Sequence, residues 1–351
     1  MKPQFIFIKT YGCQANINDS EILAHKFAKK GYILTDSEEK ADTILINSCS
    51  VKNKTQSKIL HYIKTHYSTK KIILAGCLIK TIDLKKQFPK ITILDTLNLK
   101  RLNQTLIRKD KDIAIIQISQ GCLNNCAFCA TKLAKGKLKS YSPRDIKFEL
   151  ERAVSEGCKK IYLTSQDNGC YGFDLKPKTN ISNLIDELTK VQGNQKIRVG
   201  MMNPQHIIKF LPQLINSFKS PKIQKFIHIP VQSGSNKILK DMKRGHSVED
   251  FTNIVSEFRK QIPNIDIATD IIVGYPSETD EDFEKTYQLI KQIKPEVINI
   301  ASFSSRPKTQ ANKLKQLSSQ IIKQRTKKLN YLYLSYRPEV EKRFRDKGLG
   351  L

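Results

Sequence analysis

The chain has 351 residues, 39% of them hydrophobic, and a formal net charge of +28. This length is enough for two domains with separate cores. No run of about 18 apolar residues occurs, and the N-terminal stretch lacks the cleavage pattern of a signal peptide, so we expect no membrane span and a cytoplasmic location. In that reducing compartment, the eight cysteines favour metal or redox ligands over a disulfide framework.

The N-terminal third of the chain alternates short apolar runs with helical stretches. The runs that predict strands are residues 5–8, 43–46, 71–75 and 91–94. Between the first two runs, Asn18 with Glu21 predicts a capping box at a helix start, and Gly31 predicts the helix end. This alternation indicates α/β structure, with a parallel, flavodoxin-like sheet and right-handed crossovers.

Three cysteines follow three of these predicted strands. Cys13 comes after the first strand, Cys49 after the second and Cys77 after the third. Parallel strands end at the same edge of a sheet, and open α/β sheets bind their ligands at that edge. We therefore expect the three thiols to emerge on one rim.

From about residue 113 the chain predicts six further strand–helix units. The predicted strands are residues 113–119, 160–165, 196–200, 225–231, 265–274 and 297–303. Six such units indicate a partial (βα)6 barrel, in which the loops after the strands carry the chemistry. We expect a first domain at 1–112, a barrel domain at 113–315, and a C-terminal segment at 316–351 with a helix at roughly 316–336 and a basic tail.

The loop after the first barrel strand contains Cys122, Cys126 and Cys129 at the spacing C-x3-C-x2-C. Three thiolates leave one iron of a 4Fe–4S cluster open to an outside ligand, whereas structural zinc takes four ligands. The alternative is a zinc site with Cys158 or Cys170 as the fourth ligand, although zinc sites usually use paired C-x2-C arms. Outside such a site, these two cysteines are expected to be free thiols.

The positive charge is concentrated in two segments. Residues 52–111 carry 15 Lys and Arg against three Asp, and residues 306–351 carry 13 against three acidic residues. A genomic bias towards lysine explains a preference for Lys over Arg but not an excess over acidic residues. A polyanionic partner, most simply a nucleic acid, is therefore favoured. Tyr62 and Tyr67 lie among Lys and His, which is typical of a base-stacking surface but also of a solvated helix face.

The three-cysteine loop, with the aromatic Phe128 before its third cysteine and a predicted barrel strand in front of it, resembles the signature of the radical S-adenosylmethionine (SAM) enzymes. The resemblance implies that Cys122, Cys126 and Cys129 hold a 4Fe–4S cluster whose open iron chelates SAM. It also implies that reduction of the cluster cleaves SAM to a 5′-deoxyadenosyl radical.

Further motifs resemble those of the methylthiotransferases, in the same order and over residues 1 to about 336. They read TYGCQANINDSE, INSCSVK and AGCL in the first domain, and HIPVQSGSNKILKDMKRGH, TDIIVGYPSETDEDF and FSSRPKT in the barrel. This resemblance implies a second 4Fe–4S cluster, held by Cys13, Cys49 and Cys77, again with one iron open.

The segments GCLNNCAFCATKLAKGKLKSY and LTSQDNGCYGFDL resemble the archaeal and eukaryotic branch that modifies tRNA. That branch converts N6-threonylcarbamoyladenosine beside the anticodon to its 2-methylthio form. The implied partners are the anticodon stem-loop of tRNA and an electron donor, and a monomer is the expected state. Lys135 departs from the branch by replacing an Arg.

A second expected departure concerns the C-terminal TRAM domain of this branch, a small β-barrel that grips tRNA: we expect it to be missing or vestigial here. Basic side chains are expected to hold tRNA in its place. They lie on residues 52–111, on the last helix at Arg325, Lys327 and Lys328, and in the tail as far as Lys347.

Other candidate cofactor contacts lie in the loops after the barrel strands. Gln166 and Asp167 are expected at the SAM amino group, with a polar turn before Gly169 as the alternative. Gln232 and Ser233 belong to a QSGS segment whose small residues and backbone N–H groups suit the close approach of a cofactor. The same segment also suits a simple helix start.

For two further residues, a structural role is as well supported by the sequence as a functional one, or better. Arg306 could bind a carboxylate or phosphate bidentately, or be a surface arginine. His228 lies in a predicted buried strand and is expected to be a satisfied core group rather than a base. No catalytic triad or carboxylate pair stands out, which is consistent with chemistry carried by a cofactor.

The sequence therefore predicts a two-cluster radical SAM methylthiotransferase that acts on tRNA. As the resemblance implies, one SAM donates a methyl group to sulfur on the auxiliary cluster and a second SAM supplies the radical that activates C2 of the adenine. One alternative is a methylthiotransferase for an aspartate of a ribosomal protein, against which the charge of +28 argues. The other is a non-catalytic, metal-stabilised RNA-binding protein.

Overall fold

The computed structural model describes residues 3–50 and 53–346 of an α/β protein. The chain divides into two compact units, Met1–Leu123 with Cys129–Arg198, and Asn124–Phe128 with Val199–Leu351. The domain limits predicted at residues 112 and 315 stay a prediction. In the described part of the chain, no helix is both long enough and apolar enough to cross a membrane.

The first sheet is parallel and has five strands in the order β2-β1-β3-β4-β5. This is the strand order of flavodoxin-like folds, so the predicted class is confirmed. The four predicted strands are present, and the short β2 was not predicted. The strands are β1 Gln4–Thr10, β2 Tyr32–Leu34, β3 Thr43–Ser48, β4 Lys71–Gly76 and β5 Thr92–Ile93.

Helices cover both faces of this sheet. Helix α1, Gln14–Lys29, contributes Leu23 and Phe27 to one apolar cluster, and helix α2, Asn53–His66, contributes Ile59 to the other. The central strand β3 is buried along its whole length, as expected when a parallel sheet is covered on both sides. The covered sheet leaves its strand ends as the accessible edge.

The predicted start of α1 is wrong. The helix begins directly after Cys13, and Asn18 lies inside it, where its Nδ2 donates a 2.9 Å hydrogen bond to the carbonyl oxygen of Ile115. Glu21 is buried, and its Oε1 accepts a hydrogen bond from the backbone N–H of Lys109. These two side chains therefore pair with distant backbone rather than with their own helix terminus.

Strands of the predicted barrel form two parallel, three-stranded sheets, β10-β9-β6 and β11-β12-β13. All six predicted barrel strands are present. A short antiparallel pair, β7 with β8, follows the first of them. The strands are β6 Ile113–Gln117, β7 Ser119–Gln120, β8 Lys139–Ser140, β9 Lys160–Thr164, β10 Lys196–Val199, β11 Phe226–His228, β12 Asp266–Val273 and β13 Val297–Ser302.

Nine further helices accompany these strands in the described residues, and two of them begin with a complete capping box. Those boxes are formed by Ser247 with Asp250 and by Thr279 with Asp282. The helices are α3 Thr131–Lys135, α4 Pro143–Ser155, α5 Ile181–Thr189, α6 Pro204–Ile207, α7 Leu211–Phe218, α8 Asn236–Asp241, α9 Val248–Gln261, α10 Asp280–Ile293 and α11 Ser319–Asp346.

Helix α11 is longer than the predicted 316–336 and continues past Pro338. Arg325, which was expected to bind phosphate, is buried. Its Nη1 lies 2.7 Å from Oε2 of the buried Glu278, and its Nη2 lies 2.7 Å from Oδ1 of Asp280. The expectation for Arg325 is therefore wrong, because its guanidinium is used inside the fold. Lys347 lies outside the described residues.

Replacing Arg325 with Met is expected to destabilise the protein by about 3 kcal/mol, because Glu278 would be left buried without its cation. Lys327→Met on the exposed side of the same helix is the matched control and should change stability by less than about 0.5 kcal/mol. Adding Glu278→Gln to Arg325→Met should recover part of the loss. Equal thermal unfolding of Arg325→Met and the control would contradict this assignment.

Candidate metal centres and their surroundings

The first three-cysteine site lies at the edge of the sheet where β1, β3 and β4 end. Cys13 precedes α1, Cys49 follows β3 and Cys77 follows β4. A Cβ atom built on Gly12 would lie 3.0 Å from Cβ of Cys49. The N–H of Cys77 donates a 2.8 Å hydrogen bond to the carbonyl of Ser48, the residue before Cys49. The structure thus brings together three thiols that are far apart in sequence.

The backbone beside these thiols is tightly packed. Gly12 and Gly76 have positive φ angles of +118° and +87°. A Cβ on Gly12 would lie 2.8 Å from Nδ2 of Asn16, and one on Gly76 would strike the backbone of Ser48. Nδ2 of Asn16 donates hydrogen bonds to the carbonyl oxygens of Tyr11, at 2.8 Å, and of Ser48, at 3.0 Å. Backbone and amide contacts therefore fix the loops that carry the cysteines.

The Cys77 thiol is buried, with 7% of the residue exposed. Burial raises its pKa to about 12, an effect that Lys135 opposes and that Cys13, Cys49 and Asp19 reinforce. Cysteine binds metals as the thiolate, so metal binding here has to displace a firmly held proton. A cation close to this thiol therefore favours the ligand form.

A buried group of charges adjoins the first site. Asp19 of α1 accepts hydrogen bonds from Nε of Arg101, at 2.7 Å, from Nε2 of Gln117, at 2.8 Å, and from Nζ of Lys135, at 3.2 Å. The two cations lower the pKa of Asp19 despite its burial, so its carboxylate is charged. This group, which we call the Asp19 cluster, connects α1 with β6 and α3.

The second three-cysteine site is the loop between β7 and α3. Gly121 has a φ of +76°, and a Cβ there would strike the carbonyl of Lys137. The Gly121 N–H donates a 2.6 Å hydrogen bond to Oε1 of Gln166, and the Cys122 N–H donates to the carbonyl of Gly136 at 3.3 Å. The start of the loop is thereby held against the loop after β9.

Cys170 is a free thiol, as the sequence predicts, and it lies beside the second three-cysteine site. Its thiol donates to the carbonyl of Asp167 at 3.3 Å, and a hydrogen bond with Cys122 raises its pKa further than burial does. Cys158 instead donates to the carbonyl of Lys111 at 3.3 Å. Cys170 thus has the placement that the zinc alternative would need, whereas Cys158 does not join the loop in its hydrogen bonding.

The middle of the cysteine loop, Asn124–Phe128, belongs to the second unit. Ala127 is held on both sides: its N–H donates to the carbonyl of Met242 at 3.0 Å, and its carbonyl accepts from the N–H of Ala311 at 2.9 Å. Phe128 packs against the apolar cluster that contains Met242 and Ala311. The aromatic residue before the third cysteine therefore anchors the loop.

Arg244 is a site residue that sequence reasoning missed. Its Nη1 donates a 3.3 Å hydrogen bond to Sγ of Cys126, and its Nη2 donates to the carbonyl of Pro230 at 3.0 Å. The residue is buried. A buried guanidinium beside a sulfur ligand fixes that ligand and offsets its negative charge. Its only sequence signal was the KRGH segment, which nothing local connects to Cys126.

Two of the expected SAM contacts lie directly after β9. Gln166 is half-buried, and its side-chain oxygen accepts the hydrogen bond from Gly121. Asp167 is buried, and its Oδ1 accepts from the N–H of Gly169 at 2.9 Å, which is the polar turn that the sequence offered as the alternative. Both side chains therefore shape the loop, and their contact with SAM stays a prediction.

The QSGS segment packs closely on α10. Gln232 has a φ of +76°, and its N–H donates to the carbonyl of Asp270 at 2.8 Å. The Ser233 hydroxyl is buried 3.3 Å from Oγ1 of Thr286. Ser235 caps α8, so this segment does begin a helix. Of the two residues predicted to bind a cofactor, Ser233 is engaged with the fold.

The structure places Arg306 in the interior, and it shows His228 hydrogen-bonded, as predicted, but not fully buried. Arg306 is only 4% exposed, so it is not a surface arginine. His228 is partly exposed, and its Nε2 lies 2.9 Å from Oδ1 of Asp270, which also accepts a 2.7 Å hydrogen bond from Nδ2 of Asn299. A polar group therefore spans β11, β12 and β13 on one face of their sheet.

The donor atoms fit two iron–sulfur clusters. All eight cysteines lie in the described residues, and none of them is in a disulfide. Each site offers three sulfur ligands, the donor type that iron–sulfur clusters take. At the second site a buried arginine stands beside one ligand, and at the first a buried lysine acts on another. Each set would leave one position of a four-iron cluster for an outside ligand.

Comparison with known proteins decides between iron–sulfur and zinc. Residues 116–290 match the Radical SAM superfamily, and residues 5–95 match the uncharacterized protein family UPF0004. The fold resembles that of the radical SAM methyltransferase TsrM from Kitasatospora setae, with a TM-score of 0.62, 11% identity, and coverage of 88% of this chain and 77% of that one. The fold is therefore that of radical SAM proteins.

Two relatives resemble this chain over most of its length. The probable threonylcarbamoyladenosine tRNA methylthiotransferase of Pyrococcus horikoshii is 39% identical over 97% of this chain and 86% of its own. The threonylcarbamoyladenosine tRNA methylthiotransferase of Homo sapiens is 37% identical over 95% of this chain and 63% of its own. An archaeal and a eukaryotic relative thus each align with nearly the whole of this chain. The chain therefore belongs to the radical SAM family of threonylcarbamoyladenosine tRNA methylthiotransferases.

Proposed function

We propose that this protein converts N6-threonylcarbamoyladenosine beside the anticodon of tRNA to its 2-methylthio derivative. The observation that carries the proposal is the presence of two three-cysteine sites, one at a sheet rim and one on a loop fixed at Gly121 and Ala127, in a member of this family. The homologues favour this function over modification of a ribosomal-protein aspartate and over a non-catalytic RNA-binding role.

Cys122, Cys126 and Cys129 would hold the cluster that binds SAM, and Cys13, Cys49 and Cys77 the auxiliary cluster. When bound, the clusters and SAM supply the one-electron chemistry that an unactivated C–H bond requires, together with the methyl group. The protein's own residues do the positioning.

Three protein contacts set the position of the cysteine loop. Arg244 fixes the sulfur of Cys126, and the Gly121 hydrogen bond to Gln166 fixes the start of the cysteine loop. Phe128 is partly buried and packs its ring against an apolar cluster, which anchors that side of the loop. These groups act by orientation, and none of them has to donate or accept a proton.

The decisive experiment is mass spectrometry of nucleosides from tRNA incubated with the reconstituted protein, SAM and a reductant. Formation of 2-methylthio-N6-threonylcarbamoyladenosine is the expected result. A product on a ribosomal protein, with none on tRNA, would overturn the proposal. We also propose that the protein acts in the cytoplasm as a monomer, contacts the anticodon stem-loop, and receives electrons from a separate donor.

The proposed RNA surface differs from the one expected from composition. The rings of Tyr62 and Tyr67 pack partly buried against an apolar core, and the ammonium of Lys9 lies 5.0 Å from the centre of the Tyr62 ring. Neither ring is therefore presented as a stacking platform. Lys54 and Lys64 on the same helix are exposed and are better placed for phosphate contact.

Replacing three exposed lysines of α2, Lys54, Lys58 and Lys64, with Gln is expected to weaken tRNA binding. Each lost phosphate contact lowers the slope of log affinity against log salt by about 0.7–0.9, so the slope should flatten by roughly 2. The matched control replaces three lysines that lie outside the two basic segments and are paired with carboxylates, Lys159, Lys190 and Lys237. Equal slopes for both triple variants would place the RNA surface elsewhere.

A further inference from the structure

The Asp19 cluster contains more positive than negative charge. Arg101 and Lys135 are both paired with Asp19, and all three side chains are almost fully buried. Gln117 adds only a neutral hydrogen bond. Burying charge is costly unless it is compensated, and one carboxylate compensates only one of these two cations. The cluster is therefore short of one negative charge.

The missing charge is available at the first three-cysteine site. Cys13, Cys49 and Cys77 would carry negative charge as metal-bound thiolates, and Lys135 acts to lower the pKa of Cys77. Helix α3, which ends at Lys135, also packs on the turn Leu78–Lys80 directly after that cysteine. Lys135 thus pairs with a buried carboxylate at the end of a helix that packs beside the first three-cysteine site.

Other titratable groups near Lys135 do not provide that balance. Asp95 feels Lys135, but it is exposed and paired with Lys80 at 2.5 Å. Arg101 is a like charge, and its hydrogen bonds go to Asp19, to Gln120 and to backbone carbonyls. Among the described groups that act on Lys135, the thiolate of Cys77 is then the remaining one that can be negative.

We propose that Lys135 is a charge-balancing residue for the auxiliary cluster and that Asp19 is the positioning residue that holds it. The inference rests on the proposed function only in assigning a cluster to Cys13, Cys49 and Cys77. The buried ammonium stabilises the more negative, reduced state of that cluster. Water and salt would largely screen an exposed lysine at an equal distance from the cluster. A buried lysine is screened much less.

The test isolates the auxiliary cluster in the full-length chain. Cys122, Cys126 and Cys129 are replaced with Ala, the protein is reconstituted anaerobically, and the reduction potential of the remaining cluster is measured by electron paramagnetic resonance during a redox titration. This measurement of the reduction potential needs neither tRNA nor catalytic turnover. If the background protein takes up no iron and sulfide, the cluster assignment itself fails, and the proposal with it.

In this background, Lys135→Met should lower the ratio of reduced to oxidised cluster about tenfold at a fixed potential, which corresponds to a shift of about 59 mV for one electron. Lys135→Arg should restore the ratio because it keeps the charge. Asp19→Asn removes a negative charge and should shift the potential in the opposite direction. Lys137→Met, an exposed charge two residues away, should have no effect.

Opposite signs for Lys135→Met and Asp19→Asn distinguish electrostatic balance from a merely structural role, which would impair both variants in the same way. If Lys135→Met takes up no iron, Lys135→Arg decides. Iron uptake by Lys135→Arg supports the proposal, and its failure to take up iron overturns the proposal. An unchanged potential in Lys135→Met also overturns it. Failure to modify tRNA, with these shifts intact, would count only against the proposed substrate.

Discussion

Replacing any one of Cys122, Cys126 and Cys129 with Ala is expected to abolish reductive cleavage of SAM, whereas replacing Cys13, Cys49 or Cys77 should leave that cleavage intact and abolish methylthio transfer. The two sets occupy separate places in the chain: one follows three strands of the first sheet, and the other lies on the loop after β7. Each loss should be complete within detection, because a cluster with an open iron has no spare protein ligand to give up.

The measurements are 5′-deoxyadenosine formed without tRNA and methylthio nucleoside formed with it. Cys158→Ala is the control, because this thiol is hydrogen-bonded to the carbonyl of Lys111 and belongs to neither site. A protein that lacks Cys13, Cys49 and Cys77 but still forms methylthio product over several turnovers would refute the two-cluster assignment. Iron counts near eight per wild-type chain, falling to about half in either triple variant, should accompany the activities.

Cys170→Ala gives a useful contrast within the same experiment. The wild-type thiol is buried and hydrogen-bonded to Cys122. If Cys170 were the fourth ligand of a zinc site, Cys170→Ala would lose metal, as Cys122→Ala would. In a three-thiolate iron–sulfur site it is not a ligand, so the variant should keep its full iron content.

The placement of the cysteines at the sheet rim followed from the sequence because it depends on a general rule. Parallel strands end together, so the positions of Cys13, Cys49 and Cys77 after three apolar runs were enough to bring them to one edge. The barrel strands were predicted for a similar reason, since their apolar runs are five to ten residues long and are separated by stretches long enough for a helix. Strand β2 was missed because only three residues form it.

Side-chain partners could not be predicted in this way. The pattern Asn18 with Glu21 matches a capping box locally, but Asn18 hydrogen-bonds to Ile115, 97 positions away. The sequence around Arg325 predicts a surface charge on a basic helix. In the structure its partner is Glu278, 47 positions earlier in the chain. Basic composition locates an excess of charge in the sequence, but which cations remain exposed is decided by long-range packing.

The same reasoning explains why Lys135 and Arg244 carried no strong sequence signal. Lysine is abundant in this chain, and nothing near Lys135 in sequence predicts that Asp19 would be its partner 116 positions away. Arg244 lies 118 positions from Cys126. Both residues can be identified only when their burial is known. Burying a cation is costly unless it is paired, whereas an exposed cation needs no partner.

Transfer RNA that lacks the threonylcarbamoyl group is expected to be a poor substrate, with kcat/KM lower by about 10²–10⁴. A site that pairs the polar atoms of this group is left with two or so unpaired donors and acceptors when the group is absent, and each costs about 1–3 kcal/mol. The partly exposed His228, Asp270 and Asn299 show that polar side chains are available on the sheet of β11, β12 and β13.

The comparison needs one tRNA sequence in two forms, with and without the threonylcarbamoyl group. Binding of the two forms should differ much less than turnover, because phosphate contacts, which both forms share, supply most of the affinity. The discrimination should therefore appear in methylthio product formed per unit time at subsaturating tRNA, with SAM cleavage in the absence of tRNA as the control for intact protein. Equal kcat/KM for the two forms would mean that the enzyme does not read the threonylcarbamoyl group, and would reassign the substrate to adenosine in another modification state.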